Sequence, residues 1–352
     1  VEENVAPIVE FKAWGATFNE LDWDALGMLT RDEQDEILKN VFSPEGDLRI
    51  SRGRISMNAN DYARSWYSCD EVAGDLELRY FNIDRDKQSI IPFIRAAQKY
   101  NPELTFWTSP WCPPSWMKIT GDYPVLSSKF NHMPEKMNYI LYGNVNDKVD
   151  PDEMKLVGRR GDKFPRQLAT TDYFIQDPRY LQAYANYFCK FIDAYKEQGV
   201  NIDMVIYQNE AYSYTPYPGC AWTAEGTVRF NRDYLGPTLR QKHPEVKLYL
   251  GTFNTNRVDY VQKIASDTKL QEYVSGMAFQ WEGRESLPVL RKEHPEWNYM
   301  CSESECGRGS FDWGAGEHTF ELMNHYLGNG CNEYTFWNFI LADNGESPWG
   351  WK

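Results

Sequence analysis

The sequence predicts an α/β fold, and more specifically a closed (β/α)8 TIM barrel. Eight apolar segments are predicted to be strands. Helical or helix-compatible segments separate them, and this alternation is typical of a parallel sheet. Polar or aromatic residues follow most of these strands, as expected where barrel strands deliver side chains to a site at their carboxyl ends. A doubly wound open sheet is the competing fold, but no G-x-G-x-x-G motif follows the first strand.

Three strands are predicted in the first third of the chain, at residues 8–18, 48–57 and 104–109. A helix over 26–41 follows the first strand, because Thr30 and Glu33 have the spacing of a capping box. A second, amphipathic helix over 87–100 precedes the third strand. Arginines in the second strand are costly to bury unpaired, so we expect one of them, Arg54, to meet a carboxylate or a substrate.

Residues 117–171 have no regular element in this interpretation. The segment is long, polar and rich in Gly, Asn, Asp and Pro, with no sustained hydrophobic period. A segment of this kind inside a compact domain is either functional or mobile. We interpret it as an insertion between the third strand and the next helix, lying over the substrate face of a single catalytic domain that spans residues 1–352.

The alternation continues in the second half of the chain. Asp177 and Pro178 match the first turn of a helix that Gly199 ends, and a strand begins at Ile202. The remaining helices are predicted at 223–243, 259–265, 287–293 and 318–327. The remaining strands are predicted at 246–253, 274–281, 297–304 and 331–339.

Composition narrows the class of partner. The 352 residues carry a formal net charge of −14, which disfavours nucleic acid and anionic membrane surfaces because phosphate binding requires clustered Lys and Arg. Aromatic residues make up 15% of the chain, and sugars stack on such rings. No apolar run is long enough to predict a membrane span. We expect a carbohydrate substrate, while the oligomeric state stays open.

Two other hydrolase classes lack their motifs. The five histidines fall in no H-x-x-x-H or H-E-x-x-H arrangement, and the seven cysteines include no C-x-x-C pair, so a zinc site has little support. The G-x-S-x-G elbow of a serine hydrolase is also absent from the sequence. We therefore expect chemistry that needs neither a metal nor a cofactor.

Two carboxylates stand at the ends of two apolar strands. Glu210 follows the strand that begins at Ile202, and Glu303 lies at the end of the strand at 297–304. A carboxyl group in a partly buried site has a raised pKa and suits general acid catalysis, and glycoside hydrolysis uses two carboxyl groups. Glu305 is an alternative to Glu303, because a period of two places both on one side of a strand. We prefer Glu303, which directly follows the apolar run.

Four short motifs resemble those of one enzyme family. W-G-A-T-F at 14–18 is similar to its glycine-rich opening strand, and S-P-W-C-P-P-S-W-M-K at 109–118 to its S-P-W-x-x-P-x-W-(L/M)-K loop. Q-N-E at 208–210 resembles the N-E-P motif of its acid/base, and S-E at 302–303 the (S/T)-E of its nucleophile. On these motifs the chain resembles glycoside hydrolase family 30, the family of glucosylceramidases and β-1,6-glucanases.

The resemblance implies a role for each matching residue. Glu210 would be the general acid/base, and Glu303 would be the nucleophile. Arg54 and Asp61 match positions that orient the nucleophile and hold sugar hydroxyls. The positions that contact sugar match Trp111, Asn209, Trp281 and Trp337.

The chain also departs from the family pattern. Ala211 stands where the family usually has Pro, which would relax the turn without removing the carboxylate. Glu282 stands where we expect Tyr after Trp281, and as a third carboxylate it would bind a substrate hydroxyl or a cation and raise the pKa of the nucleophile. Family members continue into a β-sandwich, which we expect to be absent or only vestigial in this chain, represented at most by residues 1–7.

The expected function is that of a retaining β-glycosidase, which hydrolyses β-linked glucosides or β-glucan, possibly β-1,6-glucan, by double displacement. A xylanase or β-fucosidase of the same family is the alternative enzyme. A carbohydrate-binding protein without catalysis is the alternative from another class. A polymeric substrate and the absent initiator methionine lead us to expect a secreted or periplasmic protein.

Overall fold

Eight parallel strands close into a barrel in sequence order, with β8 paired to β1. The computed structural model describes residues 9–129, 131–134, 171–305, 312–342, 345 and 347. The strands are β1 (Ala13–Phe18), β2 (Arg52–Met57), β3 (Thr105–Pro110), β4 (Ile202–Ile206), β5 (Lys247–Phe253), β6 (Val274–Gln280), β7 (Asn298–Ser304) and β8 (Glu333–Phe336). The predicted barrel is confirmed, and the open sheet is excluded.

Helices surround the barrel and cover its outer face. They are α1 (Glu20–Gly27), α2 (Arg31–Phe42), α3 (Ile90–Gln98), α4 (Pro178–Glu197), α5 (Ala224–Phe230), α6 (Gly236–Lys242), α7 (Val258–Ala265), α8 (Thr268–Gln271), α9 (Ser286–Glu293) and α10 (Trp313–Gly328). The helix predicted over 223–243 contains a π-helical turn at Asn231–Leu235. Pro237 lacks the N–H of a regular α-helical hydrogen bond, which accounts for the irregular turn beside it.

The capping box predicted at Thr30 is present. The Thr30 N–H donates to Glu33 Oε2 at 2.8 Å, and the Glu33 N–H donates to Thr30 Oγ1 at 3.4 Å. The predicted helix over 26–41 therefore begins at Arg31 instead, and its first two residues belong to the separate helix α1, which ends at Gly27. Sequence reasoning missed α1, whose hydrophobic face is narrow.

Several strands are shorter than predicted, because hydrogen-bonded pairing with the neighbouring strand starts several residues after the predicted segment begins. β1 begins at Ala13 rather than residue 8, where its pairing with β8 starts. β2 begins at Arg52 rather than residue 48, where its pairing with β1 starts. The apolar residues ahead of β1 still pack on the barrel, since the Phe11 ring centroid lies 4.7 Å from that of Trp14.

The barrel interior is filled in layers. At the amino end, Arg52 donates to Asp203 Oδ1 at 2.6 Å and to Glu333 Oε2 at 3.1 Å, which neutralises a buried guanidinium. Above it lies an apolar layer of Trp107, Met204, Ile206, Tyr249, Ala278 and Met300. The carboxyl ends of the strands are closed below by these layers and open only to the loops above, so this end holds the site.

The start of the predicted insertion is anchored to the barrel. The buried Lys118 ammonium donates to the carbonyl oxygens of Tyr123, Pro124 and Gly219 at 2.7–2.9 Å. Most of the segment, residues 130 and 135–170, lies outside the described residues, as do residues 1–7 of the predicted vestigial domain. Among the helices that the structure describes, none is both long and apolar enough to cross a bilayer.

Replacing Thr30 by Ala removes the side-chain acceptor of the capping box. We expect Thr30→Ala to lower the free energy of unfolding by about 1 kcal/mol, the usual contribution of a threonine N-cap. Urea denaturation at neutral pH measures this change. Glu36→Ala, at an exposed position of α2, is the matched control and should leave stability nearly unchanged. Equal stability of Thr30→Ala and wild type would contradict a stabilising cap.

Candidate active site

Arg54 of β2 lies at the centre of the open end of the barrel and is fully buried. Its Nη1 donates to the Glu303 carboxylate, its Nη2 donates to Asn209 Oδ1 at 2.7 Å, and its Nε donates to Ser109 Oγ at 3.3 Å. One guanidinium therefore joins the tips of β2, β3, β4 and β7. The prediction that Arg54 meets a carboxylate is confirmed.

Gln280, the last residue of β6, completes this network. Its Nε2 lies within hydrogen-bond distance of Asn209 Oδ1 at 2.8 Å, Thr252 Oγ1 at 2.9 Å and Glu303 Oε2 at 3.0 Å. Sequence reasoning did not assign Gln280 or Thr252 to the site. The sequence feature that could have identified them is a polar side chain at the carboxyl end of β5 and of β6.

Glu210 reaches the site through a turn in the left-handed region, with φ +50°. Non-glycine residues adopt this backbone at some cost in energy, and such positions cluster at functional sites. The Glu210 N–H donates to the Thr252 carbonyl at 3.0 Å, and Asn254 Nδ2 donates to Glu210 Oε1 at 3.2 Å. The first bond fixes the Glu210 backbone against β5, and the second, from the residue after β5, holds the carboxyl group predicted as acid/base.

Three buried carboxyl groups share one guanidinium. Burial raises the pKa of Glu210 to about 8, with a further contribution from the charge of Glu303. Burial and the same charge raise the pKa of Asp61 to about 7. Burial also raises the pKa of Glu303, but the charge and hydrogen bond of Arg54 oppose that rise. Because Glu303 has the direct ion pair, it ionises first. Glu210 still holds its proton at neutral pH, whereas Asp61 is near the midpoint of its titration there.

Two tryptophans form one wall of the site. Trp111, after β3, and Trp337, after β8, stack with ring centroids 5.1 Å apart. The Arg54 guanidinium carbon lies 4.3 Å from the Trp111 ring centroid and 5.6 Å from that of Trp337. Both rings lie against the Arg54 guanidinium, which in turn pairs with Glu303. The structure therefore places both predicted aromatic residues beside the carboxylates.

Trp281 and Glu282 lie at the rim rather than among the buried groups. They form a short turn after β6, in which Trp281 is partly exposed and Glu282 is exposed. Burial raises the Glu303 pKa and Arg54 lowers it; Glu282 is not among these influences. The prediction that Glu282 would be the third carboxylate near the nucleophile is therefore wrong, and Asp61 has that position. The reason is that the chain turns outward directly after Gln280.

Glu305 is separated from the site by the end of β7. The strand ends at Ser304, so the alternation that would place Glu305 beside Glu303 no longer applies. Glu305 Oε1 instead lies 2.5 Å from Nε2 of His318 on α10. Glu303 is the carboxylate that faces Arg54. In the described part of the chain, no group of three or more His, Cys, Asp or Glu residues could hold a metal ion.

A family model described as the glycosyl hydrolase family 30 TIM-barrel domain matches residues 11–129 and 174–351. The match omits residues 130–173, which include most of the predicted insertion. It covers the larger part of the chain and all eight strands of the barrel.

Individual proteins resemble the chain at low identity. Putative glucosylceramidase 1 of Caenorhabditis elegans is 27% identical over 96% of this chain and 60% of its own length. Endo-1,6-beta-D-glucanase neg1 of Aspergillus fumigatus is 23% identical over 76% of this chain and 48% of its own length. The solved structure of the endo-beta1,6-glucanase BT3312 superposes with a TM-score of 0.75 at 22% identity, over 99% of this chain and 71% of its own. The chain therefore spans about 60% or less of these curated relatives.

The raised pKa of Glu210 predicts a pH dependence of stability. Between the ordinary glutamate pKa of 4.5 and about 8, the folded protein keeps a proton that the unfolded chain has lost, so stability falls as pH rises through this window. Glu210→Gln removes this dependence and should raise stability at pH 8 by a few kcal/mol, since one pKa unit corresponds to about 1.4 kcal/mol.

Thermal unfolding of Glu210→Gln at pH 5 and at pH 8 measures the effect. The difference in Tm between the two pH values should narrow relative to wild type. Glu103→Gln, an exposed position at the opposite end of the barrel, is the control and should behave as wild type. An unchanged difference in Glu210→Gln would mean that the carboxyl group titrates normally.

Proposed function

This chain belongs to glycosyl hydrolase family 30, and we propose that it is a retaining β-glycosidase that hydrolyses β-linked glucosides or β-glucan by double displacement. The observation that carries the proposal is that Glu303 pairs with the buried Arg54 guanidinium, while burial and the Glu303 charge raise the pKa of nearby Glu210 to about 8. Glycoside hydrolysis needs a carboxylic acid that still holds its proton and a second carboxylate that is ionised, and in the retaining form the ionised carboxylate is the nucleophile. Relatives described as a glucosylceramidase and an endo-1,6-beta-D-glucanase support the choice of a β-glucoside.

Glu303 is the nucleophile in this mechanism. Arg54 and Gln280 both donate to its Oε2, so we assign the attack on the anomeric carbon to Oε1. Attack forms a bond between the glutamate oxygen and that carbon while the bond to the leaving oxygen breaks. The product is a covalent glycosyl-enzyme.

Glu210 acts first as an acid and then as a base. Its proton goes to the leaving oxygen in the first step. Formation of the glycosyl-enzyme removes the negative charge of Glu303, and that charge is one of the causes of the raised Glu210 pKa. The pKa of Glu210 therefore falls at the moment when it must take a proton from water, and the water then releases the sugar.

The buried wall beside this pair suits the sugar that is transferred. Trp111 and Trp337 offer aromatic rings, while Asp61 and Asn209 offer groups that can bond hydroxyls. A protonated Asp61 can both donate and accept a hydrogen bond, as a sugar hydroxyl requires. We assign this wall to the non-reducing sugar.

Double displacement predicts the stereochemistry of the product. Hydrolysis of a β-glucoside should release the β-anomer first, because two inversions restore the configuration. Proton NMR of the anomeric signal during the first minutes of reaction observes this directly. Initial release of the α-anomer would exclude the covalent mechanism and leave Glu303 as a base for water.

The two carboxylates should respond differently to removal. Glu303→Ala should abolish turnover of every substrate, because no glycosyl-enzyme can form. Glu210→Ala should slow substrates with a sugar leaving group more than a dinitrophenyl glucoside, whose phenolate leaves unaided, by roughly 10² to 10⁴-fold. Added azide should restore turnover of the dinitrophenyl glucoside in Glu210→Ala, since azide attacks without a base.

Steady-state kinetics of the two variants on both substrates test these roles, with Glu305→Ala as the matched control two residues beyond the nucleophile. Equal loss on both substrates and no azide effect would remove Glu210 from the acid/base role. Activity in Glu303→Ala together with an inactive Glu305→Ala would move the nucleophile to Glu305.

A further inference from the structure

We propose that Asn19 is a positioning residue that holds Asp61 and Trp337 in one fixed arrangement around the transferred sugar. The inference deepens the proposed function and rests on it, because Asp61 and Trp337 belong to the buried wall assigned above to the non-reducing sugar. Asn19 lies between β1 and α1, and only 1% of its surface is exposed. It acts through its neighbours rather than by contact with the substrate.

The order of the strands places Asn19 between the two residues that it links. β1 pairs with β2 on one side and with β8 on the other. Asp61 is in the loop after β2, and Trp337 directly follows β8. The loop after β1 is therefore adjacent to both of these loops at the open end of the barrel, and a side chain there can reach both.

Asn60 links Asn19 to the loop that contains Asp61. Its Nδ2 donates to Asn19 Oδ1 at 2.7 Å, and its Oδ1 accepts from the Tyr62 N–H at 2.8 Å. These two bonds fix the chain on both sides of Asp61. The Leu21 N–H also donates to the Tyr62 carbonyl oxygen at 3.2 Å, which joins the start of α1 to the same loop.

Asn338 links Asn19 to Trp337. Asn19 Nδ2 donates to Asn338 Oδ1 at 2.6 Å, and Trp337 is the residue before Asn338. The Trp337 ring also packs edge-on against Tyr62, with ring centroids 5.8 Å apart. Asn19 thus uses its amide oxygen toward the loop of Asp61 and its amide nitrogen toward the loop of Trp337.

Asp61 has an oxygen that a sugar hydroxyl can bond. Among the residues that the structure describes, no donor or acceptor lies within hydrogen-bond distance of the buried Asp61 Oδ1. Leaving such an atom unpaired costs free energy, which a bound hydroxyl recovers. In the proposed complex the same sugar ring faces Trp337. The spacing between Asp61 and Trp337 therefore decides whether both contacts form at once.

The test separates positioning from folding, because the Asn19 side chain also bonds the buried Asp22 carboxyl group and its loss costs stability. A smaller folded fraction lowers kcat but leaves KM unchanged, whereas a misplaced sugar contact raises KM. Asn19→Ala should raise the KM for 4-nitrophenyl β-glucoside about fivefold, the equivalent of one neutral hydrogen bond.

Asn101→Ala is the matched control. Asn101 is a buried asparagine that precedes β3, at the opposite end of the barrel, and its Oδ1 accepts from the Glu103 N–H at 3.2 Å. Its removal should lower Tm without any change in KM.

A double-mutant cycle identifies the residues through which Asn19 acts. In the Asp61→Ala and Trp337→Ala backgrounds, Asn19→Ala should raise KM less than it does in wild type, because one of the contacts that it positions is already lost. An unchanged KM in Asn19→Ala would overturn the proposal and leave the proposed function intact. The same increase in KM in all three backgrounds would overturn it as well.

A wild-type protein that hydrolyses no glucoside would instead count against the proposed function. Calorimetric titration with a thio-linked β-glucose disaccharide, which resists hydrolysis, then gives Kd in place of KM, as it does for any inactive background variant. Binding that Asn19→Ala weakens about fivefold supports the positioning role. Equal binding by Asn19→Ala and wild type, or no binding by wild type, rejects it.

Discussion

The ion pair between Arg54 and Glu303 is the interaction on which the site depends. A fully buried guanidinium is tolerated only when its donors are satisfied, and here Glu303, Asn209 and Ser109 accept from it. These partners come from three other strands, so the charge can be satisfied only when the barrel is closed. The same requirement that stabilises the cation orients the carboxylate assigned to nucleophilic attack.

One cation among three buried carboxyl groups also explains how their protons are distributed. Only Glu303 has a direct ion pair, and its charge then raises the pKa of Glu210 and of Asp61. An acid and an ionised carboxylate can thus exist side by side at neutral pH without a metal ion to separate them. The acid–base chemistry of the proposed mechanism follows from this imbalance of charge.

The second strand contains a related pair at the other end of the barrel. Arg52 and Arg54 are two residues apart, so both side chains point into the interior, but at different depths. Arg52 reaches Asp203, which is partly exposed, and Glu333. Arg52 is neutralised by two carboxylates at the amino end of the barrel. Arg54 pairs directly with Glu303 alone, and the pKa values of Glu210 and Asp61 stay raised.

The sequence by itself determined the barrel and most of the residues at its carboxyl end. Strand and helix periodicity and the Thr30 capping box are local patterns. Glu210 and Glu303 follow apolar runs, and Arg54 lies within a predicted strand, so each could be predicted without a partner. Tertiary structure alone decided the rest, because it depends on residues far apart in the chain. It brought Gln280 and Asn254 to the two carboxylates, turned Glu282 outward and Glu305 toward His318, and buried Asp61 within reach of the Glu303 charge. Protonation states belong to this second group, since burial and neighbouring charge exist only after the strands have closed.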